Sequence, residues 1–274
     1  MACRQPEGVL GSREQGAGGS VNDRFSLKGR VALVTGSSRG LGWEMARAFA
    51  QAGAHVAING VDKGRAEARV AELKGAGLSA EAAAFDVTDA RAGTAAVEAL
   101  AARHGRLDIL VSNAGQAVRK PLAAFTDEDW RFVLGSHLDA AFRLAREASK
   151  PMLRQRWGRI IVTASIMGQV ARPTIPAYVA AKAGLMGMVK ALAVELGPHG
   201  ITCNAIAPGY FATDLNTALR NQPDFNAMVC NRTPLARWAE PHEIAGPALM
   251  LASDAGSYVN GHTLTVDGGL VASF

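Results

Sequence analysis

The chain alternates between short apolar runs and longer stretches with helical periodicity. From Arg30 onward, seven runs have the length and the apolar content of strands: Val31–Thr35, His55–Asn59, Ala82–Asp86, Ile109–Ser112, Arg159–Ala164, Thr202–Ile206 and Thr263–Val266. Several of them are almost continuously apolar, which is typical of strands buried on both faces of a parallel sheet.

Between these runs, apolar residues recur at intervals of three and four positions. This pattern predicts six helices: Leu41–Ala52, Lys63–Gly75, Ala90–His104, Glu128–Arg156, Ala177–Leu196 and Pro241–Ala252. Strands that alternate with helices of this length form βαβ units. We therefore expect an α/β fold, with one doubly wound, Rossmann-type domain over residues 25–274 and a seven-stranded parallel sheet.

Two segments depart from this alternation. Residues 1–24 contain charges, Gly, Gln and Ser but no apolar stretch of signal-peptide length, so we expect a flexible leader and no secretion. Residues 210–238 carry Thr, Asp, Asn and Pro between the sixth strand and the last helix. An irregular insertion that follows the carboxyl end of a strand predicts a lid over a ligand site.

Charge and cysteine usage narrow the function classes. The formal net charge is +5, but Lys and Arg are dispersed and do not interleave with aromatic residues. This pattern favours an anionic cofactor over nucleic acid. No run approaches the ~18 apolar residues of a membrane helix, so we expect no membrane partner. Three scattered cysteines, Cys3, Cys203 and Cys230, suit a reducing, cytoplasmic compartment, and the six histidines lack ligand-like spacing, so we expect no metal.

The first strand leads directly into a glycine-rich turn and then into a helix. The turn reads Thr35–Gly42, and its candidate cofactor-binding residues are Gly36, Ser38, Arg39, Gly40, Leu41 and Gly42. Glycines let the backbone N–H groups approach a pyrophosphate at the positive end of a helix. A strand, a glycine loop and a helix in this order predict a dinucleotide site.

The end of the second strand bears on the choice of nicotinamide cofactor. An acidic residue there would bind the ribose 2′-hydroxyl and repel a 2′-phosphate. Here the segment reads Ile58–Val61, and the first acid is Asp62. Arg39 in the glycine loop is able to pair with a 2′-phosphate. We therefore expect NADP as the preferred cofactor, with NAD as the alternative.

Three residues form a candidate catalytic group. Tyr178 and Lys182 are four positions apart in a predicted helix and so lie on one face, and Ser165 follows the fifth strand. A free phenol, with a pKa of about 10, is a poor base near neutrality, and a neighbouring ammonium stabilises the phenolate. Ser165 would hold the substrate oxygen while Tyr178 exchanges a proton with it.

These motifs together resemble the short-chain dehydrogenase/reductase family along residues 25–274. The residues that carry the resemblance are the Thr35–Gly42 loop, Asn113-Ala114-Gly115, Ser165, Tyr178-Val-Ala-Ala-Lys182, and Pro208-Gly209 with Thr213. The resemblance implies an oxidoreductase that moves a hydride between a nicotinamide and a small hydroxyl or ketone substrate. A dinucleotide-binding protein without turnover is disfavoured because all three candidate catalytic residues are present.

The resemblance also implies roles for individual residues. Tyr178 would be the general acid/base, and Lys182 would lower its pKa and hold the nicotinamide ribose. The other cofactor contacts would come from Asp86 and Val87 at the adenine, from Asn113, Ala114 and Gly115 along the cofactor, and from Pro208, Gly209 and Thr213 at the carboxamide. A homotetramer or homodimer built on the two longest helices is implied as well.

Two positions depart from the family pattern. The family usually has a pair of Asn before Ala-Gly, whereas this chain has Ser112-Asn113. The family also carries an Asn in the long fourth helix that helps to seat a water in the proton relay, and here that position is His137. We hypothesise that His137 tolerates replacement by Asn with activity retained.

Further segments, among them Ala171-Arg172-Pro173 and Ala207–Asp214, are similar to family members that act on sugar acids. A sugar acid needs a cation for its carboxylate, and Arg119, Lys120 and Arg172 lie in loops at the expected reacting edge. We take Arg119 as the first candidate and Arg172 as the second. A 3-oxoacyl thioester, a polyol or another sugar fits the same catalytic residues.

Overall fold

The structure, a computed structural model, describes residues 20–273 and consists of a seven-stranded parallel sheet with helices on both faces. The strands are β1 (Val31–Val34), β2 (His55–Gly60), β3 (Ala80–Ala84), β4 (Ile109–Ser112), β5 (Gly158–Thr163), β6 (Ile201–Pro208) and β7 (Thr263–Val266). Their order across the sheet is β3-β2-β1-β4-β5-β6-β7, and every pairing is parallel. The predicted fold class is confirmed.

Ten α-helices connect or flank these strands in the described part of the chain. They are α1 (Val21–Arg24), α2 (Gly40–Gln51), α3 (Lys63–Gly75), α4 (Ala90–His104), α5 (Asp127–Leu134), α6 (Ala140–Gln155), α7 (Pro176–Leu196), α8 (Thr217–Arg220), α9 (Pro223–Arg232) and α10 (Ala245–Ala252). The predicted bounds of the second to fourth of these helices agree to within a residue.

The side chains of each strand alternate between two cores. In β1, Ala32 and Val34 face the core beneath α2, α3 and α10, whereas Val31 and Leu33 face the core beneath α4, α6 and α7. Successive residues of a strand point to opposite faces, so a strand covered on both sides must be apolar throughout. This double burial explains the nearly continuous apolar runs of the sequence.

The predicted fourth helix, Glu128–Arg156, is interrupted in its first half. α5 and α6 are joined by one π-helical turn, Gly135–Asp139, and the chain continues in the same direction. The turn buries Ser136 and His137. A π turn inserts an extra residue into the helical ladder and is often found at functional sites. Apolar periodicity alone does not reveal such an insertion.

The two segments that depart from the alternation are more ordered than predicted where the structure describes them. The end of the predicted leader forms α1, with a capping box between Ser20 and Asp23, whereas residues 1–19 lie outside the described chain. The predicted irregular lid contains α8 and α9. Pro223 at the first position of α9 suits a helix start, and Trp238 donates its indole N–H to Asn226 at 2.8 Å, which anchors the segment.

One helix of the described chain, Pro176–His199, is long and apolar enough by length and composition to cross a membrane. Its buried side includes Lys182 and Leu185, and α7 packs against β6 and α5. The helix is rich in Ala, Gly and Met rather than being a run of large apolar residues. A third of its most apolar window is buried against the rest of the described chain.

At the amino edge of the sheet, a fully buried carboxylate joins several elements. Asp108, just before β4, accepts the backbone N–H of Val31 at 2.8 Å. It also accepts hydrogen bonds from Arg106, at 2.6 and 2.7 Å, and from Arg30 and Gln155. The contacts fix the start of β1 against the start of β4.

We predict that Asp108→Ala lowers the free energy of unfolding by about 3–5 kcal/mol, because it leaves a buried N–H and two guanidinium groups without their acceptor. Urea denaturation of the purified variant measures this change. Asp127→Ala is the matched control, because that carboxylate is exposed and its loss should cost less than about 0.5 kcal/mol. Equal costs for the two variants would contradict the assignment.

Candidate active site

The carboxyl ends of β1, β4, β5 and β6 meet at one edge of the sheet, and the predicted site residues follow them. The glycine loop begins after β1, where Gly36 adopts φ +62°, a conformation that favours glycine. A Cβ at Gly42 would lie 2.4 Å from the carbonyl oxygen of Gly36. The loop therefore tolerates side chains at neither position, and its backbone is free to approach a ligand at the start of α2.

Two asparagine side chains hold this loop in place. Asn59, at 1% exposure, accepts the backbone N–H of Gly36 at 3.0 Å and donates to the carbonyl groups of Ala83 and Phe85. Asn113 donates to the carbonyl group of Thr35 at 3.0 Å. Asn59 was missed by sequence reasoning, although a polar residue that ends an apolar strand was a usable signal.

A cluster of arginines surrounds a cavity of about 440 Å³ beside the glycine loop. The cavity is lined by Ser38, Arg39, Arg65, Ala68, Arg69, Glu72 and Asp214, so two acids share it with the three arginines. Arg39 is exposed and has no ion-pair partner among the described residues, whereas Arg65 pairs with Asp62 at 3.7 Å. Arg69 lies over the ring of Trp43 and donates to the carbonyl oxygen of Ser38. Sequence reasoning identified Arg39 alone, because Arg65 and Arg69 reach the loop from α3.

The three candidate catalytic residues lie together at this edge. Ser165 follows β5, and Tyr178 and Lys182 occupy the first two turns of α7. The Ser165 hydroxyl accepts the backbone N–H of Met167 at 3.1 Å and lies near enough to the Tyr178 phenol to lower its pKa. Lys182 Nζ lies 5.3 Å from the centre of the Tyr178 ring and donates to the carbonyl oxygen of Thr163 at 2.6 Å. The geometry brings a hydroxyl, a phenol and an amine to one place.

The protonation of this group is set mainly by burial. Burial raises the pKa of Tyr178, against the lowering effects of Ser165, Arg119 and Arg172. Burial also lowers the pKa of Lys182 to about 7. Burial disfavours the charged form of Lys182, whose amine is directed to Thr163. The expected effect of Lys182 on the pKa of Tyr178 stays a prediction.

Arg119, which is exposed, and Arg172, which is half-buried, lie near enough to Tyr178 for their charges to lower its pKa, and neither has an acidic partner within ion-pair distance in the described chain. Burial and the charge of Arg172 lower the pKa of Arg119. Lys120, the third cation considered, pairs with Asp129 at 2.6 Å and is already neutralised. The guanidinium carbon of Arg172 lies 5.6 Å from the ring centre of Phe225, a residue of α9. Two uncompensated cations therefore border the reacting end of the site.

Similar proteins match this chain over nearly its whole length. A family model described as enoyl-(acyl carrier protein) reductase matches residues 36–271. The chain is 38% identical to the 5-keto-D-gluconate 5-reductase of Escherichia coli (strain K12), over 92% of this chain and 100% of that protein.

It is also 38% identical to the 3-oxoacyl-(acyl-carrier-protein) reductase FabG of Staphylococcus aureus (strain Mu50), over 88% of this chain and 98% of the relative. Among solved structures, a gluconate 5-dehydrogenase from Burkholderia cenocepacia J2315 in complex with NADP and tartrate superposes with a TM-score of 0.90, at 40% identity. That match covers 93% of this chain and 100% of the other.

This chain belongs to the short-chain dehydrogenase/reductase family. The family resemblance drawn from the motifs is confirmed, and so is the expectation of an oxidoreductase. The roles of the individual site residues stay predictions.

His137, the departure from the family pattern, lies inside the site of this short-chain dehydrogenase. The π turn directs its ring toward the loop after β4, where Nε2 lies 3.0 Å from the carbonyl oxygen of Gln116. The ring also meets Tyr178 edge-on at 5.3 Å between centres. Burial and Lys182 hold the pKa of His137 well below its usual value, so the imidazole is neutral. A neutral ring donates one hydrogen bond and fills space between the loop and the phenol.

The remaining predicted cofactor residues lie at the same edge. Asp86 and Val87 follow β3, and Asp86 accepts hydrogen bonds from the backbone N–H and the hydroxyl of Thr88. Pro208 ends β6, and the N–H of Gly209 donates to Val266. Thr213 precedes the turn before α8. Leu41 and Ala114 lie beside the glycine loop, and the N–H of Ala114 donates to the Thr35 hydroxyl.

Sequence spacing predicts no metal ligands, yet the fold brings two histidines and a glutamate together at the other edge of the sheet. His55, Glu81 and His104 place their ligand atoms within 4.8 Å of one another. They come from β2, β3 and α4, so only the pairing of the strands and the packing of α4 reveals the group.

We predict that Gly115→Ala lowers kcat/KM by about 100-fold, the cost of displacing a site by ~1 Å. A Cβ at this position would lie 2.0 Å from Cε1 of His137, so the loop or the ring must move. The double variant Gly115→Ala/His137→Asn should regain part of the loss, because the shorter side chain vacates that space. Gly246→Ala is the control, since a Cβ there meets nothing within 4 Å.

His137→Asn alone should keep kcat within about tenfold, well short of the 10²–10⁴-fold that loss of a general acid costs. Steady-state kinetics of the four proteins measures both effects. A larger fall in His137→Asn would reject the hypothesis that the ring is replaceable, and purely additive losses in the double variant would reject the contact with Gly115.

Proposed function

We propose that this chain is an NADP(H)-dependent oxidoreductase that interconverts a hydroxyl and a ketone on a sugar acid, with gluconate and 5-ketogluconate as the first pair to test. The observation that carries the proposal is the pair of uncompensated cations, Arg119 and Arg172, beside Tyr178. A carboxylate would form charge-assisted hydrogen bonds with these partly solvated arginines, whereas a neutral polyol would form only weaker ones. The names of the similar proteins support the same substrate class.

The cofactor would lie along the carboxyl edge of β1, β4 and β6. The backbone of Gly36, Ser38, Gly40 and Gly42 would hold the pyrophosphate at the start of α2, with Leu41 beside it. The adenine would meet Asp86 and Val87, and the nicotinamide end would meet Asn113, Ala114, Gly115, Pro208, Gly209 and Thr213. Bound there, the nicotinamide supplies or accepts the hydride.

Arg39 would bind the 2′-phosphate of NADP. Its guanidinium has no ion-pair partner among the described side chains, whereas Arg65 and Arg69 of the same cavity pair with Asp62 and, at 2.6 Å, with Glu72. The second strand ends without the acid that would repel a phosphate. An unpaired Arg39 and the absence of an acid at the end of β2 favour NADP over NAD, because the 2′-phosphate is the charge by which the cofactors differ.

The proton would travel through Tyr178. In the reductive direction the phenol donates its proton to the oxygen of the ketone as the hydride reaches the carbon. Ser165 would hold that oxygen, and Lys182 would bind the nicotinamide ribose and restore the proton. Because the pKa of Tyr178 is raised, its protonated form predominates near neutrality and is ready for reduction.

Arg119 would anchor the substrate carboxylate, with Arg172 as the second donor. Arg172 lies over Phe225, so the α9 segment of the predicted lid would contact the substrate through this arginine. A 3-oxoacyl thioester is the alternative substrate class, because FabG-type relatives share the same length and identity range. That class lacks a free carboxylate at the reacting end.

The assembly would be a homodimer or homotetramer, located in the cytoplasm. The outward face of α7 carries small residues, Ala183, Gly187 and Ala191, next to Val194, which is 80% exposed. Such a face lets two helices approach closely. The scattered cysteines, with Cys203 and Cys230 both free, fit a reducing compartment.

We predict turnover of gluconate with NADP, and of 5-ketogluconate with NADPH, followed by absorbance at 340 nm. Arg119→Ala should raise KM for the sugar acid about 10–100-fold, the value of one charge-assisted hydrogen bond, with a smaller effect on kcat. Arg131→Ala is the control, because that arginine is exposed, pairs with Asp127 and is not among the charges that lower the pKa of Tyr178. An unchanged KM in Arg119→Ala would show that Arg119 does not anchor the carboxylate. Turnover of acetoacetyl thioesters instead of sugar acids would show that the substrate belongs to the alternative class.

We predict that Arg172→Gln shifts the pH profile of kcat/KM to higher pH. Oxidation needs the phenolate of Tyr178, so its rate rises with pH through the pKa of Tyr178, and reduction falls over the same interval. Arg172 lowers that pKa, so its removal moves the profile upward. Rate measurements in both directions across the alkaline range test this. A profile identical to that of Arg131→Gln would show that Arg172 does not act on Tyr178.

A further inference from the structure

Two histidines and a glutamate converge at the edge of the sheet opposite the active site. His55 is the first residue of β2, Glu81 lies near the start of β3, and His104 is the last residue of α4. His55 Nε2 lies 3.1 Å and His104 Nε2 2.6 Å from the same carboxylate oxygen, Glu81 Oε1. The two imidazole rings are 4.3 Å apart between centres. Three ligand-type atoms therefore share one small volume.

The surroundings of this cluster orient its side chains. His55 Nδ1 lies 2.7 Å from the hydroxyl of Ser79, which fixes the ring and directs its other nitrogen inward. Arg103 pairs with Glu81 Oε2, which leaves Oε1 to the two histidines. Metal-binding histidines commonly use their second nitrogen in this way to fix the ring. The cluster thus has three residues that could bind a metal ion and two neighbours, Ser79 and Arg103, that orient them.

We propose that His55, Glu81 and His104 form a binding site for one divalent transition-metal ion of the Zn²⁺ class. A tetrahedral Zn²⁺ with ligands at about 2.0–2.1 Å separates its ligand atoms by about 3.3 Å. Oε1 of Glu81 lies 3.1 Å from His55 Nε2, near that value, and 2.6 Å from His104 Nε2, so the His104 ring would move outward as the ion binds. Two imidazoles with one carboxylate select Zn²⁺, Co²⁺ or Ni²⁺ over Mg²⁺ and Ca²⁺, which prefer oxygen ligands.

The same atoms also form an ion cluster without a metal, in which both histidines donate a proton to Glu81. A metal ion would replace those two protons at the same point. Arg103 opposes it, because the guanidinium both repels a cation and occupies the second oxygen of Glu81. Arg103 therefore stabilises the metal-free cluster and destabilises the metal-bound one, so its removal should strengthen metal binding.

The site would be structural rather than catalytic. Its three side chains are about one-fifth exposed, at 22%, 17% and 22%, so solvent can provide the fourth ligand. His55 and Gly60 lie at opposite ends of β2, roughly 16 Å apart at ~3.3 Å per residue. A bound ion would join β2, β3 and the end of α4, and we expect it to raise Tm without changing kcat.

The test uses the full chain, freed of any affinity tag and treated with EDTA, titrated with Zn²⁺ by calorimetry and with Co²⁺ by visible absorption. We expect one ion per chain for the unaltered protein, with tetrahedral Co²⁺ bands and a rise in Tm on addition of Zn²⁺. His104→Gln should weaken binding by at least about 100-fold. His55→Gln is the second ligand variant, should either variant fold poorly.

Arg103→Gln should bind Zn²⁺ about fivefold more tightly, because it removes one neighbouring positive charge and frees an oxygen of Glu81. His242→Gln is the control, because that exposed histidine lies outside the cluster, and its binding should be unchanged. The proposal is overturned if the unaltered chain binds no Zn²⁺, if both ligand variants still bind it, or if Arg103→Gln does not strengthen binding.

Discussion

The active edge depends on two amide side chains, the buried Asn59 and the half-buried Asn113. Asn59 joins the glycine loop to the end of β3, and Asn113 joins the same loop to β4 and, through Thr163, to β5. Each amide satisfies backbone groups that a tight turn leaves unpaired, and an unpaired buried group costs about 1–3 kcal/mol. Side chains and backbone groups from four strands of the sheet thus hold the loop. We therefore expect it to have the same conformation with and without a ligand.

Charged side chains at the two edges of the sheet differ in whether they have an ion-pair partner. Asp108 at the amino edge is surrounded by guanidinium groups, and Lys120 is neutralised by Asp129, so both serve the fold. Arg39, Arg119 and Arg172 lie at the carboxyl edge and have no such partners among the described residues. These three arginines are therefore available to an anionic cofactor and an anionic substrate, whereas the charges of Asp108 and Lys120 are already used within the fold.

The pattern of apolar, polar and glycine residues along the chain was enough to predict the sheet, most helices and the residues that follow the strands. Burial on both faces forces β1 and β4 to be apolar, and a tight turn forces Gly36, so these features are visible without a fold. The π turn, the helices of the 210–238 segment, and Arg65 and Arg69 were not visible, because packing against distant residues determines them. His55, Glu81 and His104 are the clearest case, since their separations of 26 and 23 residues become contacts only through strand pairing.

If Arg119 and Arg172 bind the substrate carboxylate, substrate and phenol compete for the same positive charge. Both arginines lower the pKa of Tyr178 in this structure, and burial raises it. A bound carboxylate would neutralise the arginines and leave burial as the dominant effect, so Tyr178 would hold its proton more firmly once the substrate is seated. The arrangement would then favour proton donation to a ketone, and oxidation of the alcohol would need a higher pH. Direction of turnover would thus depend on the charge of the substrate as well as on the supply of cofactor.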